Sequence, residues 1–450
     1  MASKKPATCH LPLATKTMGN FSALILILLA LAFFLRVDFI FYVIYVSVGV
    51  YAWGRWLMPR TVKNLESARQ YARNAFWGEE VPVTVRLSNK GRLPLPWIQV
   101  QESVAVQLKH GEPLHQVVSL GRRETAEFQY HVIARRRGYY QLGPLRLTTG
   151  DLFGIHPELV AFLPADYLTV YPRLTPLTQL GLPSRLPFGT IASHQRLFED
   201  PARPMGIRDF RSGDTIRQIN WKASAHSVSS GHTRNLMVKT FQPAISLETA
   251  VLLNLHSADY QFGNRQDITE WAIEVAASLA AHLVNQRQSV GLITNGIDPL
   301  ASGQHGFDET TGRLLRPSHS VIQADPGAFM PPAIPPRNGR PHLTKILERL
   351  ARIEAEETVA FTQWAANACL HLNWGVTILA LTANGSEAVC QSLHRLVRAG
   401  FNPILITVEP DGNFGLVRER ARRLGFAAYN VAHSRDLDPW RRPFHPGAVT

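Results

Sequence analysis

Two apolar runs near the start of the chain, with a single arginine between them, limit what the first sixty residues can become. The first is Phe21–Leu35 and the second Val37–Met58, with Arg36 between them and Asp38 just inside the second. A helix rises about 1.5 Å per residue, so some 18–20 apolar residues cover most of a roughly 30 Å hydrocarbon core. The runs are apolar on all sides, which argues against a one-striped helix of a soluble core. With almost no loop between them, they read as a transmembrane helical hairpin over 20–58, preceded by a cytosolic tail over 1–19. Tyr51, Trp53 and Trp56 suit the aromatic belt at a membrane interface. Lys4, Lys5 and Lys16 precede the hairpin, and Arg55, Arg60, Lys63, Arg69 and Arg73 follow it. Positive flanks at both ends put both termini and the main body on the cytoplasmic side of a two-helix membrane protein. A cleaved signal peptide ending at Ala30 and Ala32 is the alternative, and the second apolar run directly behind it argues against cleavage.

At 450 residues the chain exceeds one domain. Its 45% hydrophobic and 18% charged residues exclude a disordered protein. The three cysteines (Cys9, Cys369 and Cys390) form no C-x-x-C pair, which excludes a disulfide scaffold or a zinc ribbon. Lys and Arg outnumber Asp and Glu by 47 to 34. That excess is spread along the chain, eight of the basic residues lie at the membrane flanks, and no nucleic-acid motif accompanies them, so nucleic acid is not an expected partner.

From 60 to 175 the hydrophobic period is two. Val81, Val83, Val85 and Leu87 alternate with other residues, as do Ile98 and Val100; Val104, Val106 and Leu108; and Phe128, Tyr130 and Val132. Turn residues separate these runs, so the stretch predicts a β-sandwich. Residues 176–244 read as a linker with an unusual charged segment. From 245 to 437, short apolar runs alternate with helical stripes. Ala250–Leu255, Val290–Thr294, Val376–Leu381 and Ile404–Val408 are expected strands, with Phe426–Val431 as a last one. Helices are expected behind the capping box Asp267–Glu270, around Leu343–Ile353, over Glu387–Ala399 before Gly400, and over Leu416–Leu424 before Gly425. This alternation implies a doubly wound, parallel α/β sheet. Pro and Gly crowd 299–341, which reads as a flexible insertion. Trp271, Trp364 and Trp374 are expected in the core, and 438–450 as a tail.

Within fifteen residues of the linker stand Arg208, Asp209, Arg211, Asp214, Arg217, Trp221 and Lys222. Such density beside Ile216 and Ile219 suggests an internally paired network, since arginine and carboxylate pair directionally. The run Arg208, Phe210, Gly213, Asp214, Arg217, Ile219, Trp221, Ser224, Ala225 resembles the signature of domain-of-unknown-function family fifty-eight. Arg136-Arg137-Gly138-Tyr139, Leu142-Gly143-Pro144 and Asp151-Leu152-Phe153-Gly154 are similar to what its members carry before that signature. The resemblance implies a membrane-anchored protein with a β-sandwich and a von Willebrand factor A-like α/β domain. It also implies a MoxR-type AAA ATPase as partner, acting with it in the assembly or activation of client proteins.

Von Willebrand A domains often hold Mg²⁺ through D-x-S-x-S after the first strand, and a hard cation wants such carboxylate and hydroxyl oxygens. Here Asn254, His256 and Ala258 stand at those positions, with Thr382 after a later strand. The charge and one ligand are gone, so no metal and no cofactor are expected. No nucleophile elbow, phosphate-binding loop or zinc-binding histidine pair occurs, so no enzyme is expected. The signature residues Arg208, Asp209, Arg211, Gly213, Asp214, Arg217, Trp221, Lys222 and Ser224 therefore have two readings: a lock between the sandwich and the α/β domain, or a docking face for an ATPase or client. Expected overall is a non-enzymatic, membrane-anchored adaptor. A metal-dependent adhesion-type binding domain, or a hydrolase of unknown substrate, is the alternative.

Overall fold

The computed structural model describes residues 26–30, 34, 38–52, 56, 58–108, 114–150, 159–177, 199–211, 216–229, 236–243, 248–301, 306–307, 314–315 and 318–437. Most of the first apolar run, Gly213, Asp214, the Asp151–Gly154 motif and the tail beyond 437 lie outside them. The second apolar run contains helix α1 (Asp38–Ala52), followed by the short α2 (Met58–Lys63). Phe39, Tyr42, Tyr45 and Val46 of α1 are each 65–70% exposed. No helix among the described residues is long and apolar enough to cross a membrane.

The chain divides into two compact units. The first holds residues 1–173, 297–330 and 347–354. Its strands are β1 (Leu65–Gln70), β2 (Asn74–Phe76), β3 (Glu80–Asn89), β4 (Leu95–Val104), β5 (His115–Leu120), β6 (Thr125–Ile133), β7 (Gly138–Thr149), β8 (Leu159–Leu163) and β9 (Asp166–Tyr171). They form one sheet of order β1-β3-β6 and another of order β2-β9-β7-β4-β5, with β8 also paired to β7. Alternation builds the core, as in any half-buried sheet. Val81, Val83, Val85 and Leu87 of β3 are at most 1% exposed and join Ile98, Val100, Leu142, Leu147 and Leu168 from the second sheet in one cluster. The period breaks at Val106. Strand β4 stops at Val104, a 3-10 turn carries Val106 outward to 63% exposure, and Leu108 returns to the core.

The second unit holds 174–296, 331–346 and 355–450. It contains the hairpin β10 (Glu199–Asp209) and β11 (Met237–Pro243), with helix α3 (Trp221–Ser229) between them. Next come β12 (Glu248–Leu253), α4 (Arg265–Asn285) and β13 (Ser289–Thr294). The short helices α5 (His319–Ala324) and α6 (Pro326–Phe329) belong to the first unit. Then follow β14 (Ile334–Arg337), α7 (Arg340–Arg352), α8 (Phe361–Ala368), β15 (Thr377–Thr382), α9 (Glu387–Arg398), β16 (Asn402–Thr407), α10 (Phe414–Arg423) and β17 (Ala427–Asn430). The last turns of α7 are counted with the first unit.

The large sheet has order β14-β13-β12-β15-β16-β17 and is parallel except for β14. Its central strands are buried along nearly their whole length, the pattern of a sheet covered on both faces. Helices α9 and α10 end at Gly400 and Gly425 with paired 6→1 and 5→2 backbone bonds: Phe401 N–H to Leu396 O with Gly400 N–H to Val397 O, and Phe426 N–H to Ala421 O with Gly425 N–H to Arg422 O.

Three further sequence expectations change. The stretch 299–341 is not simply an insertion, because Ile334–Arg337 is the antiparallel edge strand of the large sheet. Pro335 and Pro336 have no N–H to offer a neighbour, which an edge strand tolerates. Gly291 opposite admits them: a Cβ there would meet Ile334 O at 2.7 Å. Helix α4 begins at Arg265, ahead of the capping box, with Asp267 in its first turn. Trp364 is buried and Trp271 half-buried, its indole N–H donating to Val431 O at 2.7 Å, but Trp374 is 44% exposed.

Candidate functional site

The signature folds as a hairpin with a helix laid on it. Asn220 caps α3, its side-chain oxygen accepting from Ala223 N–H at 3.3 Å, while its backbone N–H donates to Met237 O at 2.8 Å. One turn on, the buried Ser224 hydroxyl donates to Asn220 O at 2.9 Å and accepts from Met237 N–H at 2.8 Å. Ser224 therefore ties helix to strand. Ile219 and Val238 are buried beside it and bridge the two segments. Most of the other described signature side chains face solvent. Ile216 is 71% and Trp221 63% exposed, and Arg217, Lys222, Arg211 and Asp209 are exposed as well. Arg208 is half-buried and donates to Asp209 O at 3.0 Å.

The motifs ahead of the signature sit in the first unit and build structure. Arg137 is buried and donates through Nη1 to Leu350 O at 2.6 Å and Ile353 O at 2.9 Å. These are carbonyls at the C-terminal end of α7, where a helix lacks partners and favours a cation. Tyr140 is fully buried and its hydroxyl donates to Arg136 O at 2.8 Å. Gly143 lies against a buried ion pair. Arg69 reaches Glu102 with Nη2 to Oε1 at 2.9 Å, and Asp166 with Nη1 at 3.2 Å; the Arg69 and Glu102 side chains are 2% and 0% exposed. Arg69 also donates to Pro164 O. Burial pushes the Glu102 carboxyl above its usual value, and Arg69 offsets only part of that.

The positions at which the family resemblance implied a cation meet at the carboxyl ends of the central strands. Strand order reverses between β12 and β15, the place where open α/β sheets form a ligand crevice. Leu253 is in register with Thr294 and Leu381, so the next residues, Asn254, Asn295 and Thr382, form a row across three strand ends. All three are at most 1% exposed. The Asn254 amide donates to Asp259 Oδ2 at 2.8 Å and to Thr382 Oγ1 at 3.0 Å. Its oxygen accepts from His256 N–H at 3.1 Å and Asn295 Nδ2 at 2.8 Å. The backbone donor at His256 fixes this orientation, because the flipped amide would set N–H against N–H. Tyr260 donates its hydroxyl to Asn254 O and is wholly buried, which raises its phenol well above the usual range. Asn295 Oδ1 accepts from Leu255 N–H at 2.6 Å. His256 faces Thr358 N–H at 3.2 Å through Nδ1, and Ala258 points to solvent.

This donor set does not fit Mg²⁺. The Asn254 oxygen is occupied by two N–H groups, and its own two N–H groups are directed at Asp259 and Thr382, the remaining oxygen ligands. Sequence reasoning recognised Asn254 and Thr382 but missed Asn295 and Tyr260. An asparagine directly after an apolar strand was the available signal, because Asn295 follows β13 as Asn254 follows β12.

Residues 206–361 match the family model described as "Protein of unknown function DUF58". The match begins two residues before Arg208, the first residue of the signature. The chain is 22% identical over 255 residues to the uncharacterized protein YeaD of Bacillus subtilis (strain 168), covering 55% of this chain and 61% of that protein. The matched part thus spans about three fifths of the relative's length. Among solved structures, the CARDB domain of the PF1109 protein from Pyrococcus furiosus is 18% identical, with 24% of this chain and 91% of that one covered and a TM-score of 0.18. A β-glucosidase from Listeria innocua is 13% identical, with 24% and 16% covered and a TM-score of 0.16. Superposition scores of this size assign no fold.

Proposed function

We propose, from the membership of residues 206–361 in the DUF58 family, that this chain is a non-enzymatic, membrane-anchored adaptor. In this reading the large sheet is a von Willebrand factor A-like domain and the partner is a MoxR-type AAA ATPase acting on a client protein. The apolar runs at the N-terminus hold it at the membrane with its body in the cytoplasm, and the exposed apolar side chains of α1 support that anchoring. The observation that carries the reading is the division of labour in the signature. Ser224 and Asn220 spend their hydrogen bonds on building the module, while Ile216, Arg217, Trp221 and Lys222 face outward. Exposed tryptophan and arginine are residue types that anchor protein partners.

The test is affinity capture of the full-length protein from native membranes, with and without ATP at constant Mg²⁺, followed by mass spectrometry. An AAA ATPase recovered in a nucleotide-dependent manner, and lost from Arg217→Ala and Trp221→Ala proteins that melt like the parent, is the expected result. Recovery of no ATPase by the parent protein refutes the adaptor reading. Variants that melt early return these residues to an internal lock.

A further inference from the structure

We infer that the Asn254 side-chain amide does the work of a divalent cation, so that the crevice at the ends of β12, β13 and β15 is assembled without metal. A cation at such a site draws together oxygen ligands from separate loops and so fixes the strand ends relative to one another. Here one neutral side chain makes the equivalent links. The Asn254 N–H groups draw in the Asp259 carboxylate, from the loop after β12, and the Thr382 hydroxyl, from the end of β15. Its oxygen takes the Asn295 amide from the end of β13. Asn295 extends the chain of bonds, donating to Val359 O at 2.9 Å, while Thr358 donates back to Asn295 O at 2.6 Å. All four hydrogen-bonding positions of the Asn254 amide are filled, at 0% exposure. A cation entering here would have to displace two N–H groups from its own ligands. A satisfied buried network of this kind is rigid and specific, because breaking any member leaves unpaired groups in low dielectric. Any partner that docks over this face therefore does so independently of Mg²⁺.

The substitution Asn254→Asp replaces the two N–H donors by a carboxylate beside Asp259 and the Thr382 hydroxyl, an oxygen set that calls for a hard cation. The experiment is thermal unfolding of the full-length protein in detergent micelles, in EDTA and across a Mg²⁺ titration, with Mn²⁺ binding followed by electron paramagnetic resonance. The expected parent midpoint is the same in EDTA and in Mg²⁺, with no saturable Mn²⁺ site. The expected Asn254→Asp midpoint is lower in EDTA and rises by roughly 5–10 °C when Mg²⁺ reaches a hundredfold excess over its dissociation constant. The exchange variant Asn254→Asp/Asp259→Asn keeps one carboxylate and reverses that hydrogen bond. It is expected to melt near the parent and ignore Mg²⁺, and it serves as the second variant should Asn254→Asp not fold. A parent midpoint that climbs with Mg²⁺, together with Mn²⁺ binding abolished by Thr382→Val, overturns the inference. So does a folded Asn254→Asp protein that is indifferent to Mg²⁺, or an exchange variant that fails to fold.

Discussion

Replacing Gly143 with alanine sets a backbone requirement against a buried ion pair. Gly143 has φ +92°, a region that costs an L-residue about 1–2 kcal/mol. Its added Cβ would stand 2.6 Å from Arg69 Nη2 and 2.9 Å from Glu102 Oε1, well inside contact distance. Neither group has room to retreat, since both side chains are essentially unexposed. Separating a buried pair so that each charge is left uncompensated costs about 3–5 kcal/mol. The sum, about 4–7 kcal/mol, corresponds to roughly 10–25 °C in melting midpoint for a unit of this size. The assay is urea unfolding followed by hydrogen exchange of the peptides spanning β4 and β7, which reads the first unit on its own. The control is the same substitution in an Arg69→Met/Glu102→Leu background, where no ion pair remains to be displaced. There only the backbone strain of about 1–2 kcal/mol is expected. Equal losses in the two backgrounds would refute the idea that Gly143 exists to accommodate the pair.

Arg137→Ala leaves two helix-end carbonyls unpaired and is expected to destabilise the first unit by about 2–4 kcal/mol in the same assay, with Arg137→Lys recovering only part, as it supplies a point charge without the planar fork. Ser224→Ala removes two hydrogen bonds that tie α3 to β11 and is expected to cost about 1–2 kcal/mol, read as faster limited proteolysis within 206–243. Cys369 is buried and its thiol is pushed up to about 12. It is therefore expected to resist thiol-reactive dyes at pH 8 until the protein is unfolded. Because the folded value is raised, its contribution to stability is complete below pH 9 and declines as pH rises from 9 towards 12; the buried tyrosines add a decline of the same sign, so a Cys369→Ala variant should show a shallower loss than the parent over this range.

What could be read from the sequence was local. The β3 alternation and the glycine-terminated helices α9 and α10 follow from residues within a few positions of one another, and each stands as its period implied. Val106 escaped because alternation continues on paper past the point where β4 has ended. Trp374 escaped because a large aromatic side chain was equated with burial. The role of Arg137 was invisible for another reason: its carbonyl partner at Leu350 lies 213 residues away. The loss of ligands at Asn254 was legible residue by residue. Its new hydrogen bonds were not, because they depend on β12, β13 and β15 ending in register. Prolines at 335 and 336 were read as interruption, although a missing N–H interrupts only a strand with neighbours on both sides.

That pair of prolines has a consequence for how the protein behaves in a crowd. Where copies of a chain meet at high local concentration, an open sheet edge invites a second copy to continue the ladder. The β14 border weakens that invitation: successive N–H groups of a strand point to opposite edges, so one of the adjacent Pro335 and Pro336 withholds a hydrogen from an incoming strand. The large sheet is thus partly self-limiting on this side, and neighbouring copies that touch there template one another less readily.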